Sequence, residues 1–344
     1  MSGEEGGLRL TLGEVYDTSR AILLEHGFAE RHAAAISRTI RAAEGDECHH
    51  HGLFRLPFYV NALKAGQASP DAEPTLSRPA PGLVRIDAHF GFIPLALEQG
   101  AEPLAELAAS QGIAALAVNN AHNVGPLWPE VERLAGRGLV AFAFTSATAT
   151  VAPWGGTRPL FGTNPMAFGW PRPEGPPLVF DQASSASARG EIQIRLRDGR
   201  TLPEGWAIGP DGRPTSDPAT ALAGAQLPFG GPKGSSIALM IELLAGPLIG
   251  DVLSFEAGER DKAGTGAPCG GELVLALDPA RLAPGGDRGA PLRHGEKLFE
   301  RILAQEGTRL PSARRYAARA RTAREGIAIP PGLRDTLRGL GAAL

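Results

Sequence analysis

The chain has 344 residues, 43% hydrophobic and 21% charged, with a formal net charge of −3. That is ordinary globular usage, enough for two or three domains around sizeable cores, and it gives no reason to expect a nucleic acid or an anionic membrane as partner. No apolar run approaches the ~20 residues that span a bilayer, the acidic start Met1-Ser2-Gly3-Glu4-Glu5 lacks a signal-peptide pattern, and two distant cysteines, Cys48 and Cys269, fit a reducing cytoplasm.

Thr11-Leu12-Gly13-Glu14 has the spacing of a capping box, so a helix is expected to follow, with Val15, Ile22 and Leu23 on its apolar face and Gly27 at its end. An Ala-rich helix is predicted from Arg31 to Ala43, stopped by Gly45, and a third from near Pro57 to Ala65, closed by Gly66. Between them lies Asp46-Glu47-Cys48-His49-His50-His51-Gly52, followed by Leu53-Phe54-Arg55-Leu56-Pro57. From Leu83 strands and helices alternate: strands at 83–86, 113–118 and 139–144, helices at 95–110 and 130–135. Such alternation argues for an α/β layered domain. Residues 152–234 are dense in Gly and Pro and read as an irregular, mostly β region with short strands such as Leu178-Val179-Phe180. An apolar helix is expected over 236–248, a mobile Gly-rich loop over 258–271, a buried strand over 272–277, and helices near 295–305, 313–324 and 331–339.

Histidine titrates nearest neutrality, so three in a row on a loop suggest proton transfer or metal binding. On an extended stretch His49 and His51 would face the same way and could chelate together, but neither HExxH nor paired CxxC accompanies them. A merely solvated loop is the bland alternative. Arg55 carries a permanent charge in a rigid fork that matches a carboxylate. A proton handler close to an anion clamp points to an enzyme acting on a small organic acid.

Phe161-Gly162-Thr163-Asn164-Pro165 is a compact turn that could hold Thr163 in one orientation, or simply join two strands. Pro228-Phe229-Gly230-Gly231-Pro232-Lys233-Gly234-Ser235 leads into an apolar helix, where free amides and a lysine suit a phosphate. It matches neither GxxxxGK[ST] nor GxGxxG, so a dinucleotide site here would be of a different kind from the Rossmann one.

In this order the motifs resemble the malate/L-lactate dehydrogenase family with the non-Rossmann fold. The likeness rests on the His-Gly loop followed by Arg55, Val151-Ala152-Pro153-Trp154-Gly155-Gly156, Gly162-Thr163-Asn164-Pro165, Phe180-Asp181-Gln182-Ala183-Ser184-Ser185, Pro214-Thr215-Ser216-Asp217-Pro218 and Leu227 to Gly234. Gly52-Leu53-Phe54-Arg55-Leu56-Pro57, Leu127-Trp128-Pro129-Glu130-Val131-Glu132, Arg158 to Gly169 and Ser254-Phe255-Glu256 are most similar to its Δ1-piperideine-2-carboxylate/Δ1-pyrroline-2-carboxylate reductases.

The resemblance implies an α/β fold with a helical domain from both termini (1–75 and 295–344) and a cofactor-binding α/β region (76–294). It implies NADPH-dependent reduction of cyclic imino acids, NADH being possible, in a homodimer. It puts His51 at the proton-donor position, Arg55 and Thr163 at substrate positions, and Glu191 where an acid assists the histidine. Cofactor positions fall on Asp181, Gln182, Ala183, Pro232, Lys233, Ser312, Ala313 and Arg314. Two departures stand out: His50 occupies the usual Ser position, and Ala121-His122-Asn123-Val124-Gly125 replaces Ser-His-His-Phe-Gly. His122, a catalytic base in some relatives, is retained. The rivals are a 2-oxo acid/2-hydroxy acid dehydrogenase, a metal-dependent hydrolase or lyase built on Cys48 to His51, and a binding protein without catalysis.

Overall fold

A computed structural model describes residues 8–344; the acidic start at residues 1–5 lies outside them. Its centre is a seven-stranded mixed sheet. The strand order is Thr75–Ala80, Leu83–Asp87, Ile113–His122, Cys269–Leu277, Val140–Thr145, Met166–Trp170 and Leu178–Gln182. Only Leu83–Asp87 and Ile113–His122 run parallel, joined by the helix Ile93–Gln111 as a crossover must be. Every other pair is antiparallel. Alternating helices and strands therefore gave the layers but not the strand directions.

Helices cover both faces. On one, Ile93–Gln111 and Trp128–Gly136 pack Leu97, Leu104, Val131 and Leu134 against Val84, Ile86, Leu116 and Val274. On the other, Ile241 of the helix Pro232–Ala245 meets Ala117, Phe144 and Leu273. Full burial of each such side chain is worth about 1.5–3 kcal/mol.

The two chain ends build a separate helical core. Helices Leu12–Glu25, Glu30–Gly45 and Leu56–Lys64 bury Ile22, Leu23, Ile36, Ile40 and Tyr59 with Ile327, Ile329 and Leu337 from the C-terminal end. Arg9–Leu10 pairs antiparallel with Ile327–Ala328, and the capping box at Thr11 and Glu14 is formed. The helix Gly289–Leu303, grouped with this unit on sequence, instead packs Phe299 with Leu178 and Leu310 beside the last sheet strand.

Two further expectations change. The Gly/Pro-rich region holds small strands but also helices Arg189–Arg197 and Pro218–Ala223. Ile192 and Ile194 alternate as a strand would, yet only Ile192 reaches a core. The 258–271 segment is largely organised: Ser254–Arg260 is helical, Cys269 starts a strand, and Asp261 accepts from the backbone N–H of Thr265 at 2.8 Å and Gly266 at 2.9 Å.

Candidate active site

Glu44, at the end of the second helix and 1% exposed, organises the histidine loop. Its carboxylate accepts from the Leu53 backbone N–H at 2.7 Å and meets His49 Nδ1 at 2.6 Å. A Cβ on Gly52 would fall 2.0 Å from Glu44 Oε1, so the position requires glycine. The result is two short 3-10 turns, His49–His51 and Leu53–Arg55, rather than an extended loop. Alternation therefore does not apply. His49 turns to Glu44, which raises its pKa by hydrogen bonding, while His51 directs Nδ1 at the carbonyl oxygen of Val124, 3.2 Å away. Among the described residues no three His, Cys, Asp or Glu side chains are grouped to share a metal ion.

The rings of His50 and His51 lie 4.4 Å apart, and Trp128 stands edge-on to His51 at 6.2 Å. Burial, then the charge of Arg55, pushes His50 down to about 4. Burial also pushes His51 well below its ordinary value, with His50 and Arg55 adding to the shift. Both imidazoles are thus neutral near pH 7, and the carbonyl at Nδ1 fixes the His51 proton there.

Arg55 is largely enclosed, and burial lowers its pKa to about 10, still charged at neutral pH. Its Nε donates to the His50 carbonyl oxygen at 2.7 Å, and its guanidinium carbon sits 4.9 Å over the Phe58 ring. Gly190 packs against it: a Cβ there would lie 3.3 Å from Nη2. Among the described residues no carboxylate pairs with Arg55. A cation so enclosed and unpaired is a binding site for an anion.

The other expected residues divide. Glu191 follows Gly190 beside His50, but its carboxylate accepts from Arg195 Nε at 2.9 Å and makes no bond to either imidazole. His122 faces Ala267 O at 2.9 Å with Nδ1 and Gln67 O at 3.0 Å with Nε2, so neither nitrogen is free for a substrate. Thr163 makes no hydrogen bond to Arg55 or His51. Its turn is nonetheless rigid, because buried Asn164 donates to Ala238 O at 3.1 Å and also bonds Glu242, which holds Ser254 Oγ at 2.8 Å. Glu44, Gly190 and Glu242 escaped the sequence reading; Glu44 sat unnoticed on the buried face of an ordinary helix.

The expected cofactor segments border one stretch of chain, residues 178–185, although they lie far apart in sequence. Strand Leu178–Gln182 carries Asp181 and Gln182 towards Ala183. Ser184 and Ser185 then pair with the 228–229 segment that leads to Pro232 and Lys233. From the other side Ser312 hydrogen-bonds Val179 O. Asp181 is partly committed: Oδ2 accepts from the Leu127 and Trp128 amides at 2.8 and 3.1 Å, and burial raises it to about 6.

These residues fit an anionic dinucleotide. Gly230 and Gly231 both take positive φ, opening a helix start at Pro232 that lacks a side-chain cap. Lys233 is exposed there, and exposed Arg314 opens the helix Ala313–Glu325. Free first-turn amides with basic side chains are a phosphate donor set. Arg315, by contrast, turns inward to Asp46 at 3.4 Å and lies 4.9 Å over Trp128.

A profile of the family described as malate/L-lactate dehydrogenase matches residues 10–338. The chain is 52% identical over 333 residues to a Δ1-pyrroline-2-carboxylate/Δ1-piperideine-2-carboxylate reductase of Pseudomonas aeruginosa, covering 97% of this chain and 99% of that one. A (2R)-3-sulfolactate dehydrogenase (NADP(+)) of Chromohalobacter salexigens is 41% identical, covering 96% and 97%. The crystal structure of Δ1-piperideine-2-carboxylate reductase from Pseudomonas syringae superposes with a TM-score of 0.91 at 38% identity, covering 97% and 99%. The chain belongs to the malate/L-lactate dehydrogenase family.

Proposed function

We propose that the chain reduces cyclic imino acids with NADPH, taking Δ1-piperideine-2-carboxylate to L-pipecolate and Δ1-pyrroline-2-carboxylate to L-proline. The observation that carries this reading is Arg55, an enclosed guanidinium without a carboxylate partner, next to two imidazoles held neutral. Its likeness to imino acid reductases supports the choice of ring.

Reduction adds a hydride at C2 and a proton at the ring nitrogen; the hydride is what a reduced nicotinamide supplies when bound. The rest falls to the chain. Arg55 holds the substrate carboxylate and so fixes where C2 lies. His51, with Nδ1–H given to Val124, presents the Nε2 lone pair to the ring nitrogen. A protonated imine donates to that lone pair, and the depressed basicity of His51 keeps the proton on the substrate nitrogen, where the product needs it. Phe54, Phe58 and Trp128 limit water around these groups. Lys233 and the backbone amides of Gly231, Lys233 and Gly234 would hold the diphosphate, and Arg314 the 2′-phosphate that distinguishes NADPH. The same reading carries a homodimer in the cytoplasm, where free Cys48 and Cys269 stay reduced.

A second reading, the interconversion of a 2-oxo acid and a 2-hydroxy acid, is favoured by the sulfolactate dehydrogenase relative. It uses the same clamp, with Nε2 as base for the hydroxyl. Rates of NADPH oxidation with Δ1-pyrroline-2-carboxylate, Δ1-piperideine-2-carboxylate, pyruvate and 3-sulfopyruvate separate the two. The imines turning over much faster supports the first reading; oxo acids turning over alone overturns it.

A further inference from the structure

We propose that Asn123, anchored by Glu272, is a positioning residue that fixes the ring tautomer of His51 through the carbonyl of Val124. The inference rests on the proton-handling role given to His51 above.

Glu272 lies in the strand Cys269–Leu277, fully buried, just past a register shift between Gly270 and Glu272. Its Oε2 accepts from Asn123 Nδ2 at 2.8 Å. The same amide accepts, at Oδ1, the backbone N–H of Gly125 at 2.9 Å. The Asn123 backbone N–H goes to Pro268 O at 3.0 Å. Asn123 is thus tied at three points: the bond to Gly125 closes a turn around Val124, and the other two anchor that turn to Glu272 and Pro268. The Val124 side chain is 6% exposed and packs in the terminal helical core, so its peptide is held from that side as well. The carbonyl left over is the one that meets His51 Nδ1 at 3.2 Å.

A neutral imidazole has one proton to place. A fixed carbonyl at Nδ1 draws it there and leaves Nε2 as an acceptor; a carbonyl free to turn leaves the tautomer undetermined. Both the donor and the acceptor of Asn123 are used, so no single hydroxyl or methyl replaces it. Burial, with Glu130 and Asp181 nearby, pushes the Glu272 carboxyl well above its ordinary range. Its Oε2 serves Asn123 as a hydrogen-bond acceptor, a part an amide oxygen can also play.

The test is the nitrogen-15 spectrum of the full chain labelled at histidine, with His51→Ala used to assign the His51 ring. Wild type should show the proton on Nδ1. Asn123→Ala and Glu272→Leu should shift it towards Nε2, and kcat for the imino acid should fall about 10²-fold with KM changed less than about threefold. Glu272→Gln should restore most of the loss. Asn123→Ser, which keeps an acceptor for Gly125, replaces Asn123→Ala if that variant does not fold. An unchanged His51 tautomer in the folded variants, or a wild-type proton on Nε2, overturns the proposal. A tautomer that shifts as described in an enzyme that fails to reduce cyclic imines leaves this inference standing and removes the functional reading instead.

Discussion

Arg55 donates from Nε to the carbonyl oxygen of His50 at 2.7 Å, while its guanidinium lies over the Phe58 ring with Nη2 against Gly190. The bond goes to the backbone and not to the His50 side chain. Charge clamp and proton handler are therefore set by one short stretch of chain.

Replacing Arg55 by Leu leaves the substrate anion unpaired in a partly dry site, at a cost of a few kcal/mol, so kcat/KM should fall by about two orders of magnitude or more. Arg55→Lys should recover only part, since a point charge does not reproduce the fork. Steady-state kinetics on both variants checks this. Near-normal kcat/KM for Arg55→Leu would remove it from the site.

The two adjacent histidines should behave differently. His51→Ala removes the acceptor that orients the substrate's ring nitrogen and should lower kcat/KM by about 10²-fold. His50→Ser keeps the carbonyl that holds Arg55 and should leave a working enzyme. Its loss also removes one of the groups that depress His51, so the acid limb of kcat/KM should move to higher pH. Profiles of kcat/KM against pH decide it; a dead His50→Ser beside an active His51→Ala would reverse the assignment.

Cofactor preference should rest on Arg314 alone, because Arg315 is spent on Asp46 and Trp128. A charge-assisted bond worth ~1.5–3 kcal/mol corresponds to roughly a 10- to 150-fold preference for NADPH. Arg314→Ala should erase that much of kcat/KM with NADPH and leave NADH nearly unchanged. Equal losses with both cofactors would count against it.

Gly52→Ala should destabilise the fold by about 3 kcal/mol or more, since its Cβ falls 2.0 Å from Glu44 Oε1 and strands a buried carboxylate. Denaturant titration measures this. A loss under about 1 kcal/mol would mean that Glu44 moves aside at little cost.

Stability should also depend on Glu130, whose Oε2 is buried without a partner and whose pKa burial raises to about 8. A carboxyl raised in the folded state stabilises most below its unfolded pKa and loses that contribution as pH climbs through the folded value. Melting temperature should therefore fall between about pH 5 and pH 8, and Glu130→Gln should flatten the fall. An identical slope in wild type and variant would contradict it.

Much of this was legible in the sequence, and the exceptions have physical causes. The capping box at Thr11, the terminal helices and the buried strands follow from local periodicity, which burial obeys. Strand directions do not, because Cys269–Leu277 inserts between strands more than a hundred residues earlier, and only tertiary contact decides that. Arg55 and the histidine cluster were readable from residue chemistry, whereas the choice of His51 as proton handler, like Glu191 and His122, came from likeness alone; Glu191 bonds Arg195 and His122 faces two carbonyls. Asn123 could have been found: Asn-x-Gly is a turn in which the amide bonds the backbone two residues on.

The most direct test compares Δ1-pyrroline-2-carboxylate with Δ1-pyrroline, which lacks the carboxylate, by NADPH oxidation on wild type and on Arg55→Leu. The account predicts that wild type favours the carboxylated imine by about 10²-fold or more and that the variant loses most of this discrimination. Retention of the full preference by Arg55→Leu, or no imine reduction by wild type, would contradict it.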